Sequence, residues 1–287
     1  MKRLSSGRFT ACMTSDLTLI TGGTGKTGRR VAERLEAHGR AIRIGSRSGT
    51  PPFDWEDPST WPAAFDGATS AYVSFYPDIA VPGSVDAVAA LAETALAAGC
   101  RRLVLLSGRG EPEAQAAERA LQASGADWTI VRCSWFDQNF SEGVFCESLL
   151  AGTLALPVGD VGEPFVDIDD VADVAVAALT EPGHVDKLYE LTGPRLLSFA
   201  DAVAEIAAAT GRDLQYVQIT LAEFTAGLAD DGVPDDVRAL LAFLFGEVLD
   251  GRNESLTDGV QQALGRPARD FRDYARDAAA TGVWGGA

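Results

Sequence analysis

From Leu17 onward, short runs of aliphatic and β-branched residues alternate with stretches in which apolar positions recur every three to four residues. The runs Leu17–Ile20, Ala41–Ile44, Ser70–Ser74, Leu103–Leu106 and Trp128–Val131 predict strands. Between them, Val85, Val88, Ala89, Ala92 and Leu96 fall on one face of a helix. Val171, Val174, Ala175 and Ala178 repeat that spacing behind Asp169, the expected N-cap. Strand and helix in strict alternation predict an α/β fold built of βαβ units, a doubly wound parallel sheet. Past about Gly193 the alternation stops. The chain becomes helix-rich, carries Phe199, Phe224, Phe243, Phe245, Phe271 and Tyr274, and keeps one strand-like run near 214–219. The expected organisation is therefore a sheet domain over 17–192 and a smaller, mostly helical region over 193–287, laid on the sheet's carboxyl edge. Residues 1–16 hold Lys2, Arg3 and Arg8 among Ser, Thr and Gly without period, and are expected to be a disordered extension, the native fold beginning near Met13.

The first strand runs directly into Thr21-Gly22-Gly23-Thr24-Gly25-Lys26-Thr27-Gly28, which opens the first helix. Glycines at 22, 25 and 28 let the backbone approach a pyrophosphate and place that anion at a helix N-terminus, where free N–H groups and the helix dipole favour it. Strand before and helix after make this a dinucleotide loop, with Thr24 and Thr27 at the phosphates and Lys26 either beside them or pointing to solvent. Gly25-Lys26-Thr27 also resembles the end of a triphosphate-binding loop, but the glycine which that motif needs five residues earlier is Ile20. About 20 residues on, where a carboxylate would take the ribose hydroxyls of NAD, the chain reads Ser46-Arg47-Ser48. A guanidinium with two flanking hydroxyls suits a 2′-phosphate, so NADP(H) is the expected cofactor.

Charge narrows the partners. With 24 Lys+Arg against 41 Asp+Glu, the net charge of −17 and the lack of a basic cluster argue against nucleic acid and anionic membranes. No apolar run reaches the ~20 residues of a membrane helix. Cys12, Cys100, Cys133 and Cys146 have no C-x-x-C spacing, so neither a metal site nor a disulfide framework is expected, and the protein reads as cytoplasmic. The arginine- and alanine-rich, lysine-poor composition suggests a bacterial source. Lysine occurs only at 2, 26 and 187 and histidine only at 38 and 184, which leaves few basic side chains for catalysis.

With these residues, the chain resembles the NmrA-like, atypical branch of the short-chain dehydrogenase/reductase superfamily, whose members include quinone oxidoreductase-like proteins, triphenylmethane-dye reductases and ergot-alkaloid iminium reductases. The resemblance rests on Thr21–Gly28, Pro52-Phe53-Asp54-Trp55, Val131–Phe140, Phe165–Ala172 and Tyr189–Pro194, and Leu249–Asn253 looks most like the ergot-alkaloid group. It implies a Rossmann-type domain with Asp54 and Trp55 flanking adenine, and Ser74 and Phe75 along the cofactor. Tyr76 would stand at the ribose and Ser107 would face the nicotinamide. Arg109, Trp135, Phe136, Asn139 and Phe140 would border the substrate, with Tyr76 and Ser107 as the catalytic candidates.

One departure bears on mechanism. Conventional members use a Tyr-x-x-x-Lys pair, and none of Tyr72, Tyr76, Tyr189, Tyr216 or Tyr274 has a lysine four residues later. The expected function is NADPH-dependent reduction of an acceptor that is already electrophilic: an imine or iminium ion, a quinone or a conjugated carbonyl. Two alternatives stand beside it, a cofactor-binding redox sensor without turnover and a non-redox cyclase or isomerase on the same scaffold.

Overall fold

The computed structural model describes residues 16–285, so the expected N-terminal extension lies, apart from Asp16, outside the described residues. The elements run β1 (Leu17–Thr21), α1 (Lys26–Ala37), β2 (Ala41–Gly45), α2 (Trp61–Phe65), β3 (Ala68–Val73), α3 (Ser84–Ala97), β4 (Arg102–Gly108), α4 (Pro112–Ala123) and β5 (Asp127–Cys133). There follow α5 (Cys146–Ala151), β6 (Thr153–Leu156), α6 (Ile168–Thr180), β7 (Lys187–Leu191), α7 (Phe199–Thr210), β8 (Gln215–Gln218), α8 (Leu221–Asp230), α9 (Asp235–Phe243), α10 (Gly259–Leu264) and α11 (Phe271–Ala280). Six strands form one sheet in the order β2-β1-β3-β4-β5-β7, every pair parallel. The chain leaves β1 to one side for β2 and crosses back to the other for β3. The crevice at this reversal, at the carboxyl ends of the strands, is where ligands bind in such sheets.

Both sheet faces are covered, which is why its strands read as apolar runs. One face packs Leu19, Ala71, Leu103 and Leu105 against α3, α4 and the Phe53–Trp61–Phe65 group. The other packs Ile20, Tyr72, Val104 and Val131 against α1, α6 and α10. Helix α6 begins two residues earlier than the pattern suggests. Its cap is Asp167, which accepts from the Asp169 amide at 2.8 Å, whereas the Asp169 carboxylate is drawn off to the Arg34 guanidinium on α1, 2.7 Å away.

A third core lies over the carboxyl edge and crosses the expected boundary at 192/193. Phe140, Phe145, Leu149, Leu154 and Phe165 from before the boundary pack with Phe199, Phe245, Phe271 and Trp284 from after it. Strand β6, which the pattern does not announce because only Leu154 and Leu156 alternate, pairs in parallel with β8. The aromatic residues of the helical region need a second wall, and the segment between β5 and α6 supplies it. Among the described residues no helix is long and apolar enough to cross a membrane.

Candidate active site

The glycine loop has the geometry that its spacing predicts. Gly22 sits at φ +64°, a conformation that side chains disfavour, and its carbonyl accepts from the Gly25 amide at 2.8 Å. Gly28 lies so close beneath the turn that a Cβ there would collide with the Gly22 carbonyl and stand 2.9 Å from the Gly23 Cα. Gly25 caps α1 without a side chain, so no protein group competes for the first-turn amides. Thr21 fastens the loop to β3: its hydroxyl accepts from the Ser74 amide at 2.9 Å, and the Ser74 carbonyl accepts from the Trp55 indole at 3.1 Å. Lys26, the first residue of α1, donates from Nζ to Asn139 Oδ1 at 2.8 Å, and burial pulls its pKa below the ordinary lysine value.

A cleft of about 520 Å³ runs from this loop along the strand ends. Gly22, Gly25, Lys26 and Thr27 line it from the loop and Ser74–Ile79 and Leu106–Arg109 from the ends of β3 and β4; Cys133–Phe136 and Leu244 line it beyond β5, and Asn139 closes the gap between that wall and Lys26. Thr24 is exposed on the loop. Beside the cleft, Arg47 is exposed, has no ion pair among the described residues, and lies over the Tyr76 ring with its guanidinium carbon 5.9 Å from the centroid. Ser46 and Ser48 flank it with hydroxyl oxygens 3.5 Å apart. Trp55 packs on Phe75 at a centroid distance of 4.7 Å, and Asp54 accepts from the Glu56 amide. Neither of these last two lines the cleft itself.

Beyond β5, Trp135, Phe136 and Asn139 face the space together, Trp135 steadied by Phe245 at 5.1 Å and by Phe145, stacked at 6.2 Å. Phe140 does not join them. It is fully buried among Phe145, Phe165, Phe199 and Phe271, so it holds the wall up and touches no substrate.

Three more expectations need correction. Arg109 reaches the cleft wall, but its guanidinium is largely engaged: Nε donates to Glu190 at 2.7 Å, Nη1 to the Asn253 and Ser255 carbonyls at 2.7 and 2.9 Å, and Nη2 to the Ser255 hydroxyl at 2.7 Å. Four of its five N–H donors clasp the C-terminal region to β4, and one on Nη2 is left over. Ser107 lines the cleft, yet its hydroxyl donates to Glu118 at 2.6 Å, and Glu118 is ion-paired with Arg132, which also holds Glu190. A proton so engaged is not available to an acceptor. Tyr76 is 62 % exposed, at the rim under Arg47, too open to water for a shielded acid.

The sequence reading missed Glu111 and Asp78. Both line the cleft, and Glu111 carries the larger shift: burial, with the negative charges of Asp78, Glu118 and Glu163, pushes its carboxyl up to about 8. Asp78 is also raised by burial, and accepts from the Ala80 amide at 2.8 Å. The one sequence signal for Glu111 was its place, a carboxylate just past the end of a strand and directly before the proline that starts α4.

The NAD(P)H-binding family model matches residues 52–182. A relative from Xenophilus azovorans, NAD(P)H azoreductase, is 30 % identical over 92 % of this chain and 98 % of its own. Agroclavine dehydrogenase of Claviceps fusiformis is 31 % identical over 90 % of this chain and 96 % of its own. Among solved structures, the NADPH complex of an Escherichia coli NADPH-dependent quinone oxidoreductase superposes with a TM-score of 0.73 at 21 % identity, over 91 % of this chain and 99 % of the other. The glycine cradle, the unpaired arginine behind it and these full-length likenesses agree: the chain belongs to the family of NAD(P)H-dependent oxidoreductases that includes NAD(P)H azoreductase and agroclavine dehydrogenase.

Proposed function

We propose that the protein is an NADPH-dependent reductase of a small, flat, electrophilic acceptor (an imine or iminium ion, a quinone or a conjugated carbonyl) seated against Trp135 and Phe136. The observation that carries this reading is continuity. One cleft is lined both by the phosphate loop and by Trp135 and Phe136, so a dinucleotide on the loop and an acceptor against the aromatic wall would share one space. A protein that only sensed its cofactor would have no need of room for an acceptor.

The residues fit the cofactor. Gly22, Gly25 and Gly28 leave room for the pyrophosphate, Lys26 adds a partly desolvated cation, and Arg47 with Ser46 and Ser48 suits a 2′-phosphate. When bound, the reduced nicotinamide supplies a hydride. The chain's own work is positioning and exclusion of water: Ser107 and Leu106 form the floor, Trp135 and Phe136 offer a flat apolar surface, and Leu244 closes the cleft from the C-terminal side. The names of the relatives, an azoreductase, a quinone oxidoreductase and a clavine dehydrogenase, suit an unsaturated acceptor. The test is oxidation of NADPH by the purified protein with a panel of quinones, azo dyes and cyclic iminium ions. Saturable turnover of at least one class is expected. Tight NADPH binding with no turnover across the panel would replace this reading with the sensor.

A further inference from the structure

We propose that the carboxyl group of Glu111 is the proton donor of the cleft, serving those acceptors that need a proton as well as a hydride; this rests on the reductase reading above.

The backbone is built to bring that carboxyl back over β4. After Gly108 the chain turns through Gly110, at φ +77°, and Glu111 takes the N-cap of α4. Its side chain folds over the strand end into the volume that a side chain at 108 would fill: a Cβ on Gly108 would overlap the Glu111 carboxyl. There it lines the cleft next to Ser107 and Asp78. No side-chain hydrogen bond ties it to any described residue, unlike Ser107, which is bound to Glu118.

The groups facing it are nearly all negative or neutral. Asp78 comes from the turn after β3, Glu118 from α4, Glu163 from the segment after β6, and Cys133 from the end of β5. The nearby guanidinium of Arg109 is committed to Glu190. Burial and these carboxylates hold the Glu111 proton at neutral pH. A carboxylic acid that is unbonded, protonated and open to the acceptor space is poised as a general acid.

The balance is simple. A neutral acceptor takes a hydride, and with it two electrons, from the reduced dinucleotide at one atom of its double bond. The electron pair moves through the double bond, or through the conjugated system of a quinone, and the atom at its far end takes H⁺ from Glu111, whose carboxylate regains a proton from water through the cleft mouth. An acceptor that is already a cation becomes neutral on taking hydride alone and needs no donor.

That difference supplies the experiment. Wild-type protein, Glu111→Gln and Gly108→Ala are compared with NADPH and two acceptors, menadione (neutral) and the cationic dye malachite green. Glu111→Gln should lower menadione turnover by about 10²-fold, the usual scale of a general acid, and dye turnover at least tenfold less than that. Gly108→Ala, which displaces the carboxyl without deleting it, should shift the same ratio in the same direction. Wild-type menadione turnover should fall as pH rises through about 8, and Glu111→Gln should lose that limb. Independently of activity, the cofactor-free wild type should show protonated-carboxyl absorption in the infrared at pH 7 from which one component is lost in Glu111→Gln, while those of the other raised carboxyls, Asp137 and Glu163, remain. Equal slowing of both acceptors, an unchanged menadione pH profile, or an unchanged absorption would overturn the proton-donor role alone. Failure of the wild type to reduce either acceptor or any member of the quinone, azo-dye and iminium panel while it binds NADPH would overturn the reductase reading and this role with it.

Discussion

Arg47 and Tyr76 meet at the rim of the cleft, a guanidinium over a ring, with no carboxylate to neutralise the cation among the described residues. An unpaired arginine held in place by stacking is prepared for an anion that arrives from solution. If that anion is a 2′-phosphate, Arg47→Ala removes a charge-assisted pair worth about 1.5–3 kcal/mol, and equilibrium titration should show NADPH binding weakened about 10–100-fold while NADH binding hardly changes. Equal weakening of both dinucleotides would place the phosphate elsewhere. Arg109 shows the opposite lesson at the same scale. In the sequence it is another arginine past a strand end, like Arg47. Its partners lie 81 and 144–146 residues further along the chain, at Glu190 and at Asn253 and Ser255, and nothing local announces that they will take four of its five donors. Phe140 is similar: five residues from Trp135 and of the same character, it differs only in which way the short turn at Asp137–Asn139 sends it.

At the scale of elements, the β1–α1 unit was legible because everything that shapes it lies within eight residues. The positive φ of Gly22 and the close approach of Gly28 to the Gly22 carbonyl both follow from the loop's own spacing. Gly28→Ala pushes a methyl group into backbone that has no room to move aside. Overpacking of this kind costs about 1–3 kcal/mol, so thermal unfolding should show a lower Tm, and dinucleotide binding should be lost or much weakened because the loop has to open. An unchanged Tm would mean that α1 can slide away from β1. Strand β6 was not legible for the converse reason. Four residues with two buried positions are too short to show a period, and the strand exists only because β8, some 60 residues later, lies alongside it. Helix α6 illustrates how a local rule can be displaced by two residues: Asp167 and Asp169 are both good caps, and the distant Arg34 decides between them by engaging Asp169.

Across the whole molecule the buried carboxyls set a direction for stability against pH. Asp137 is fully buried with neither oxygen hydrogen-bonded, and its carboxyl is pushed well above the ordinary aspartate value by burial and by the charges of Asp167, Asp170, Asp270 and Glu205. Glu111, Glu163 and Asp167 are also raised, burial being the first cause in each. A carboxyl whose folded pKa lies above its unfolded value of about 4 binds its proton more tightly in the native state. Its contribution is complete below the unfolded pKa and is lost as pH rises through the folded one. The surface carboxylates held low by arginines, such as Glu142 and Asp270, have the opposite sign, but their contribution is already complete above about pH 5. His184, lowered by burial, adds one small opposing step near neutrality. The Tm should therefore fall as pH rises from about 5 to 9, and Asp137→Asn should flatten that slope and raise the Tm at pH 8 by about 2–4 °C per kcal/mol recovered. A Tm that climbs over this range would show that these groups find partners.

The aromatic core over the carboxyl edge has a consequence for anyone wishing to redirect the protein. Its rings come from two separate stretches, roughly 140–165 and 199–284. A chimera that borrowed only the tail of a relative would press foreign side chains against native ones. Transplanting acceptor preference thus calls for exchanging both stretches together, and libraries built by single-crossover shuffling will be poor in folded recombinants.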